Sequence, residues 1–168
     1  MPNQFLPRVR PGWDEYFMSI CRVVATRSHD HDTHVGSVIV SPNRRIVSTG
    51  YNGLPAGVQD DAWATKREQS VTVPGIVDAT IQYQVDKYDT VTHAEANAIV
   101  SAAESLRGCS LYCTLYPCNE CAKLIITAGI KKVYFEDIRE AKQQAIAKIL
   151  FQQAGIETVK IGLAKRNA

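Results

Sequence analysis

The chain has 168 residues, 45% of them hydrophobic and 21% charged, with a formal net charge of +2. That length suits one domain over 1–168, large enough to bury a core without staples, and so small a charge excludes an electrostatic argument for nucleic-acid binding. No apolar run approaches a membrane span, and "MPNQFLPRVRPGWDEYF" lacks the apolar centre of a signal peptide, so a soluble cytoplasmic protein is expected.

Residues 13–27, "WDEYFMSICRVVATR", carry apolar side chains at helical spacing. "VGSVIV" (35–40) and "RIVSTG" (45–50) read as strands, and "SPNRR" between them is a tight turn, which predicts a hairpin. Residues 58–90 are polar, uneven and long for a connection in a compact domain; a functional or partly helical excursion is expected there. A helix is predicted over 94–105, a strand over 110–116, and a helix over "NECAKLIITAG" ended by Gly129. A strand at 131–136, a helix over "REAKQQAIAKILFQQAG" closed by Gly155, and a strand at 156–162 complete the order. The second half is therefore βαβαβ, which implies parallel strands and right-handed crossovers. The hairpin adds antiparallel strands, so an α/β fold with a mixed sheet covered by helices on both faces is predicted. No internal repeat or linker is visible.

The five cysteines include one C-x-x-C, Cys118 and Cys121. Without an export signal, thiols or metal ligands are expected rather than a disulfide framework. The two sit three apart at the start of a helix, which brings both sulfurs to one side of its first turn and favours thiolate. Upstream, "TVTHAEANAIV" sets His93 and Glu95 two apart at the head of another helix. Residues two apart do not share a helix face, so a structural ion pair explains the pairing poorly. It makes sense if His93 ends the helix and both side chains point at one object beside it. Two thiolates and an imidazole suit zinc; a structural site wants a fourth protein ligand, and a catalytic one leaves that place to water. Glu95 can then take a proton from that water and hand it to a substrate. Alone, a C-x-x-C is often a redox pair or half of a structural zinc site, and a lone His at a helix start is often a surface residue. Together, H-x-E at one helix start and P-C-x-x-C at the next form the signature of zinc-dependent base deaminases.

"GYNGLPAG" (50–57) follows a strand. Gly53 and Gly57 permit unusual backbone angles and close approach of a ligand. Asn52 offers a donor and an acceptor suited to a sugar hydroxyl. The bare-sequence alternative is a plain surface turn. Arg27 is a candidate phosphate ligand, because a guanidinium matches phosphate oxygens; Lys66 and Arg67 are weaker candidates.

Over most of its length the chain resembles the deoxycytidylate (dCMP) deaminases of the cytidine deaminase superfamily. "WDEYFMSI" and "TRSHDHDTHVGSVIV" resemble that family's opening helix and first strand. "STGYNGLPAGVQDD" resembles its nucleotide loop, "KYDTVTHAEANAI" its active-site helix, and "GCSLYCTLYPCNECAKLIITAGIKKV" its zinc segment. The resemblance implies a three-layer α/β/α fold around a five-stranded mixed sheet. It implies one Zn²⁺ per chain on His93, Cys118 and Cys121, with Glu95 as proton shuttle, and hydrolysis of dCMP to dUMP and ammonia, supplying dUMP for thymidylate synthesis. Arg27, Asn52 and Gly53 become nucleotide-binding candidates, in place of the plain turn. A hexamer activated by dCTP and inhibited by dTTP, with Mg²⁺ carried by the triphosphate, is also implied. Some bacteriophage members hold a second, structural zinc partly through cysteines near the "RS" segment and after "GYNG". Here those regions read "SHDHDTH" and "VQDD", without cysteine, so the His29, His31 and His34 cluster is read as a polar loop. Two alternatives remain: a superfamily relative acting on another base, such as a transfer-RNA adenosine or nucleoside deaminase, and a non-catalytic zinc module.

Overall fold

The computed structural model describes residues 10–58, 67–72, 80–85 and 87–162. In chain order the elements are α1 (Trp13–Ala25), β1 (Gly36–Val40), β2 (Ile46–Tyr51), β3 (Arg67–Thr72), β4 (Thr80–Val85), α2 (Lys87–Thr90), α3 (Ala94–Val100), β5 (Ser110–Leu115), α4 (Asn119–Thr127), β6 (Lys132–Asp137), α5 (Lys142–Gln153) and β7 (Glu157–Lys160). Five strands form one sheet in the order β2-β1-β5-β6-β7. β1 is antiparallel to both β2 and β5, whereas β5, β6 and β7 run parallel. The mixed sheet and the βαβαβ half are as the sequence predicts.

Strand alternation sorts the core into two layers. Val38, Val40 and Tyr112 face α1, where Phe17, Met18 and Cys21 are buried against them. Their strand neighbours Ile39, Leu111 and Cys113 face the other way, toward Ala98, Ile125, Ala147 and Phe151 of α3, α4 and α5. Period-two patterning in a sheet covered on both faces produces this split. Among the described residues, one helix therefore covers one face and three cover the other. Gly36 lets α1 lie close on β1: a Cβ there would fall 2.0 Å from the Cys21 carbonyl oxygen.

One expectation is sharpened and one corrected. Within 58–90 the described residues form a β-hairpin with α2 after it. β3 and β4 pair antiparallel, Gln69 opposite Tyr83 and Val71 opposite Ile81. The alternation of Ile81, Tyr83 and Val85 with polar residues is a strand signal that the uneven composition obscures. The predicted 94–105 helix ends at Val100, with Ser101 as its C-cap. Apolar spacing continues through Ala102 and Leu106, but the chain leaves the helix so that Leu106 and Cys109 enter the core.

Candidate active site

Two helix starts build the centre. His93 is the N-cap of α3 and Cys118 the N-cap of α4, both with extended backbone and neither side chain capping its own helix. Their carbonyls accept the first helical bonds, from Asn97 N–H and Ala122 N–H, each at 2.9 Å. N-caps usually carry Ser, Thr, Asp or Asn; imidazole and thiol there leave the side chains free to face each other. β2 and β5 are both antiparallel to β1, hence parallel to one another. Their carboxyl ends therefore lie at the same sheet edge: α4 follows β5 directly, and the Gly53–Thr92 bridge holds the start of α3 beside the end of β2, at the edge where α/β folds bind ligands.

The cluster is tight. His93 Nδ1 lies 3.4 Å from both Cys118 Sγ and Cys121 Sγ, and the three donor atoms all lie within 4.8 Å of one another. Zinc bonds of about 2.1 Å to nitrogen and about 2.3 Å to sulfur, at a tetrahedral angle, separate the donors by roughly 3.5 Å. The donor set and its spacing therefore fit a zinc ion. Among the described residues no other group of three or more His, Cys, Asp or Glu is arranged to hold a metal. His29, His31 and His34 are exposed along the 28–34 loop.

Electrostatics divide the two sulfurs. The hydrogen bond with Cys121, then that with His93, holds the Cys118 thiol down at about 4. Sharing with Cys118, reinforced by burial, pushes Cys121 up. The Cys118 hydrogen bond raises His93. Without a metal the three thus share protons; a divalent cation takes the place of those protons and makes both sulfurs thiolates. Glu95 is 4% exposed, in the first turn of α3. Burial pushes its carboxyl above the usual carboxylate range, as suits a group that both takes and gives a proton near neutral pH.

The "GYNG" segment has structural work to do. A Cβ on Gly50 would fall 2.3 Å from both Ala94 O and Ala98 N, so only glycine lets α3 lie this close on β2. Gly53 N–H donates to Thr92 O at 3.1 Å and Thr92 N–H donates to Gly53 O at 2.9 Å, which pins the residue before His93. Asn97 Nδ2 donates to Tyr51 O at 2.8 Å. Of the two glycines read as permitting unusual backbone angles, Gly57 has a positive φ of +87° and Gly53 does not. Asn52 is buried; its Oδ1 accepts from Val35 N–H at 2.8 Å and its Nδ2 donates to Thr33 O at 2.9 Å and Asp30 Oδ2 at 3.3 Å. Both amide protons are engaged within the protein, so any substrate contact falls to the remaining lone pair of Oδ1.

A cavity of about 530 Å³ opens on the cluster, lined among others by His93, Glu95, Cys118, Asn52, Thr33 and Arg139. That is ample for a small organic ligand. Arg27 is exposed just beyond the C-cap of α1 and is not among the lining residues. Arg67 begins β3, and Lys66 lies outside the described residues. Sequence reasoning missed Arg139. Its signal was positional: it follows β6, a parallel strand whose carboxyl end meets the same edge as the starts of α3 and α4.

Residues 11–137 match the family described as the cytidine and deoxycytidylate deaminase zinc-binding region, and the chain belongs to that family. Its curated relatives include the deoxycytidylate deaminase of Homo sapiens, 41% identical over 148 residues that span 86% of this chain and 76% of the human protein. The deoxycytidylate deaminase of Mycobacterium phage D29 is 41% identical over 128 residues, covering 75% of this chain and 95% of the phage protein. Among solved structures, the dCMP deaminase of cyanophage S-TIM5 in complex with dCMP and dUMP superposes with a TM-score of 0.66 at 28% identity, covering 92% of this chain and all of that one. The resemblance drawn from the motifs stands, and so does the deaminase-type α/β fold.

Proposed function

We propose that this chain catalyses the hydrolytic deamination of dCMP to dUMP, consuming one water and releasing one ammonia. The observation that carries the reading is Glu95, buried beside a metal cluster of three, not four, protein ligands among the described residues. The family and its dCMP-acting members support the substrate. His93, Cys118 and Cys121 would hold the zinc, which when bound supplies the charge that brings the pKa of a water to about 7. Glu95 takes the proton released as that water adds to the ring carbon bearing the amine. It delivers that proton to the ring nitrogen; it then takes the proton of the added hydroxyl, as the carbonyl forms, and hands it to the amine, which departs as ammonia. Burial keeps its carboxyl apart from bulk water, so the proton passes between reactants.

A transfer-RNA adenosine deaminase would share the zinc motif, but its substrate calls for a basic face, and the net charge here is only +2. A non-catalytic zinc module gives Glu95 no reason to be buried. Ammonia release from dCMP, deoxycytidine, cytosine and a transfer-RNA anticodon stem separates the three. Release confined to the nucleotide is expected; release from the RNA alone, or from none, overturns the reading.

The proposal extends to regulation, where family resemblance is the main support: one deaminase domain over 1–168, a hexamer in the cytoplasm, dCTP with Mg²⁺ as activator and dTTP as inhibitor. Among the described residues no helix is long and apolar enough to cross a membrane. The exposed His29, His31 and His34 and the loop ending at Gly57 are surface groups a triphosphate could use. An effector acts only through unequal affinity for two conformations, and the usual coupling of about 1–3 kcal/mol is roughly a 5- to 150-fold change in dCMP affinity. Sigmoidal dCMP dependence that dCTP makes hyperbolic is expected; hyperbolic kinetics from a sedimenting monomer overturn the extension alone.

A further inference from the structure

The cavity wall carries a cation that the deamination chemistry does not use. Arg139 lies on the connection between β6 and α5, and among the described residues that line the cavity it is the one lysine or arginine. The carboxylates on the same lining are Asp30, Glu95 and Glu120. Each is engaged elsewhere. Asp30 accepts hydrogen bonds from Asp32 N–H, Thr33 N–H and Asn52 Nδ2. Glu95 is buried in α3, and Glu120 pairs with Lys123 at 2.6 Å.

Arg139 is itself oriented. Its Nη2 donates to Thr33 Oγ1, which ties the β6–α5 connection to the 28–34 loop across the chain. A guanidinium has five N–H donors in a fixed fork, so one bond to a threonine hydroxyl positions the group without exhausting it. Ala141, Gln143 and Gln144, at the start of the 12-residue α5, line the cavity beside it, and the positive end of that helix dipole adds to the arginine's field.

We propose that Arg139 is the residue that confers preference for a 5′-phosphorylated substrate, taking the phosphate oxygens at the end of the cavity away from the reacting ring. Planar guanidinium donors match phosphate oxygens two at a time, and Thr33 sets the plane. This assigns the phosphate to Arg139 in place of Arg27. It rests on the deaminase reading for the identity of the substrate, though not for the existence of the anion site. Arg139 is a specificity residue; it has no part in proton transfer.

The test compares full-length zinc-loaded wild type, R139A, R139K and R27A on dCMP and deoxycytidine. The readout is the ratio of kcat/KM for the two substrates. Losing a charged hydrogen-bond partner should lower that ratio about 10- to 100-fold in R139A, with R139K intermediate because an ammonium is a point charge without the fork. A ratio unchanged in R139A, or one that falls in R27A instead, overturns the assignment. Calorimetric titration of dCMP and deoxycytidine into wild type and R139A reads the same preference as binding. If wild type deaminates neither compound, the deaminase reading fails. The anchor is then judged by whether R139A alone loses the affinity advantage of dCMP over deoxycytidine, and an equal advantage in both proteins overturns it.

Discussion

The metal cluster and the loop wall of the same cavity are built in different ways. His93, Glu95, Cys118 and Cys121 come from two helix starts, where the cap and first turn set each side chain's place on its own helix. Asp30, Thr33, Val35 and Asn52 meet only because hydrogen bonds join positions 17 to 22 residues apart. Arg139 adds a contact across 106 residues. Within each helix start the chemistry-bearing side chains are placed by short-range geometry, whereas the loop wall is assembled by tertiary hydrogen bonds. Mutations should therefore separate along that division. Those in the cluster should abolish turnover in a folded protein, and those in the wall should alter stability and preference.

The largest effect belongs to Glu95. Glu95→Gln keeps the size and one acceptor of the side chain but cannot shuttle a proton. It should lower kcat by at least about 10²- to 10⁴-fold, the usual contribution of a positioned acid–base group. Zinc content measured by atomic absorption should stay at one per chain, because Glu95 is not in the cluster of donors. Cys118→Ser provides the contrast, since it should lose the zinc together with the activity. A Glu95→Gln protein with wild-type turnover would sink the mechanism.

Gly50→Ala tests whether β2 seats the catalytic helix. The new methyl carbon would fall 2.3 Å from backbone atoms of α3, and backbone cannot step aside as a side-chain tip can. Overpacking of this kind costs about 1–3 kcal/mol or more, visible in urea unfolding. The shift of α3 should also move His93 relative to Cys118 and Cys121 and weaken zinc retention during dialysis against a chelator. Lost stability with unchanged zinc retention would show that the cluster does not depend on this contact.

Asn52→Ala probes the wall itself. It deletes the acceptor for Val35 N–H and the donors to Thr33 O and Asp30 Oδ2. Leaving buried partners unpaired costs about 1–3 kcal/mol, so a drop in the urea midpoint is expected. Asn52→Asp should be as harmful, because a carboxylate cannot donate to Thr33 O and would face Asp30. If both variants keep full stability and only dCMP binding suffers, Asn52 serves the ligand more than the fold.

Much of this division was visible in the sequence, for physical reasons. H-x-E and P-C-x-x-C declare the cluster because a helix start places residues by short-range geometry. The parallel half of the sheet declares itself through helices closed at Gly129 and Gly155. Asn52 read as a sugar ligand because its partners Asp30, Thr33 and Val35 sit on a different loop, and no local pattern announces that meeting. Gly53 and Gly57 read as room for a ligand, and the role of Gly50, which makes room for α3, went unread. The β3–β4 hairpin was hidden by polar composition, and the end of α3 by apolar spacing that continues past the helix. For Asn52 and Gly50 the deciding contact was distant in sequence.

The smallest effect tests the opposite face of the sheet. Arg22 of α1 grips Glu136 of β6 through two nitrogens: Nη2 lies 2.6 Å from Oε1, and Nε lies 3.0 Å and 3.2 Å from the two oxygens. The pair is partly open to water, with Arg22 37% and Glu136 16% exposed. Bidentate geometry argues for more than an ordinary surface pair, while solvent screening limits it. Arg22→Ala should therefore cost about 1 kcal/mol, a fall in Tm of roughly 2–4 °C for a chain of this size. Zinc content and kcat/KM for dCMP should not move, because Arg22 lies on the α1 face and lines no part of the cavity. The strands between the faces are close-packed from both sides, so coupling has a physical route. A loss of activity larger than the loss of stability explains would mean that α1 sets the position of β5, and through it Cys118. The two faces would then be one mechanical unit.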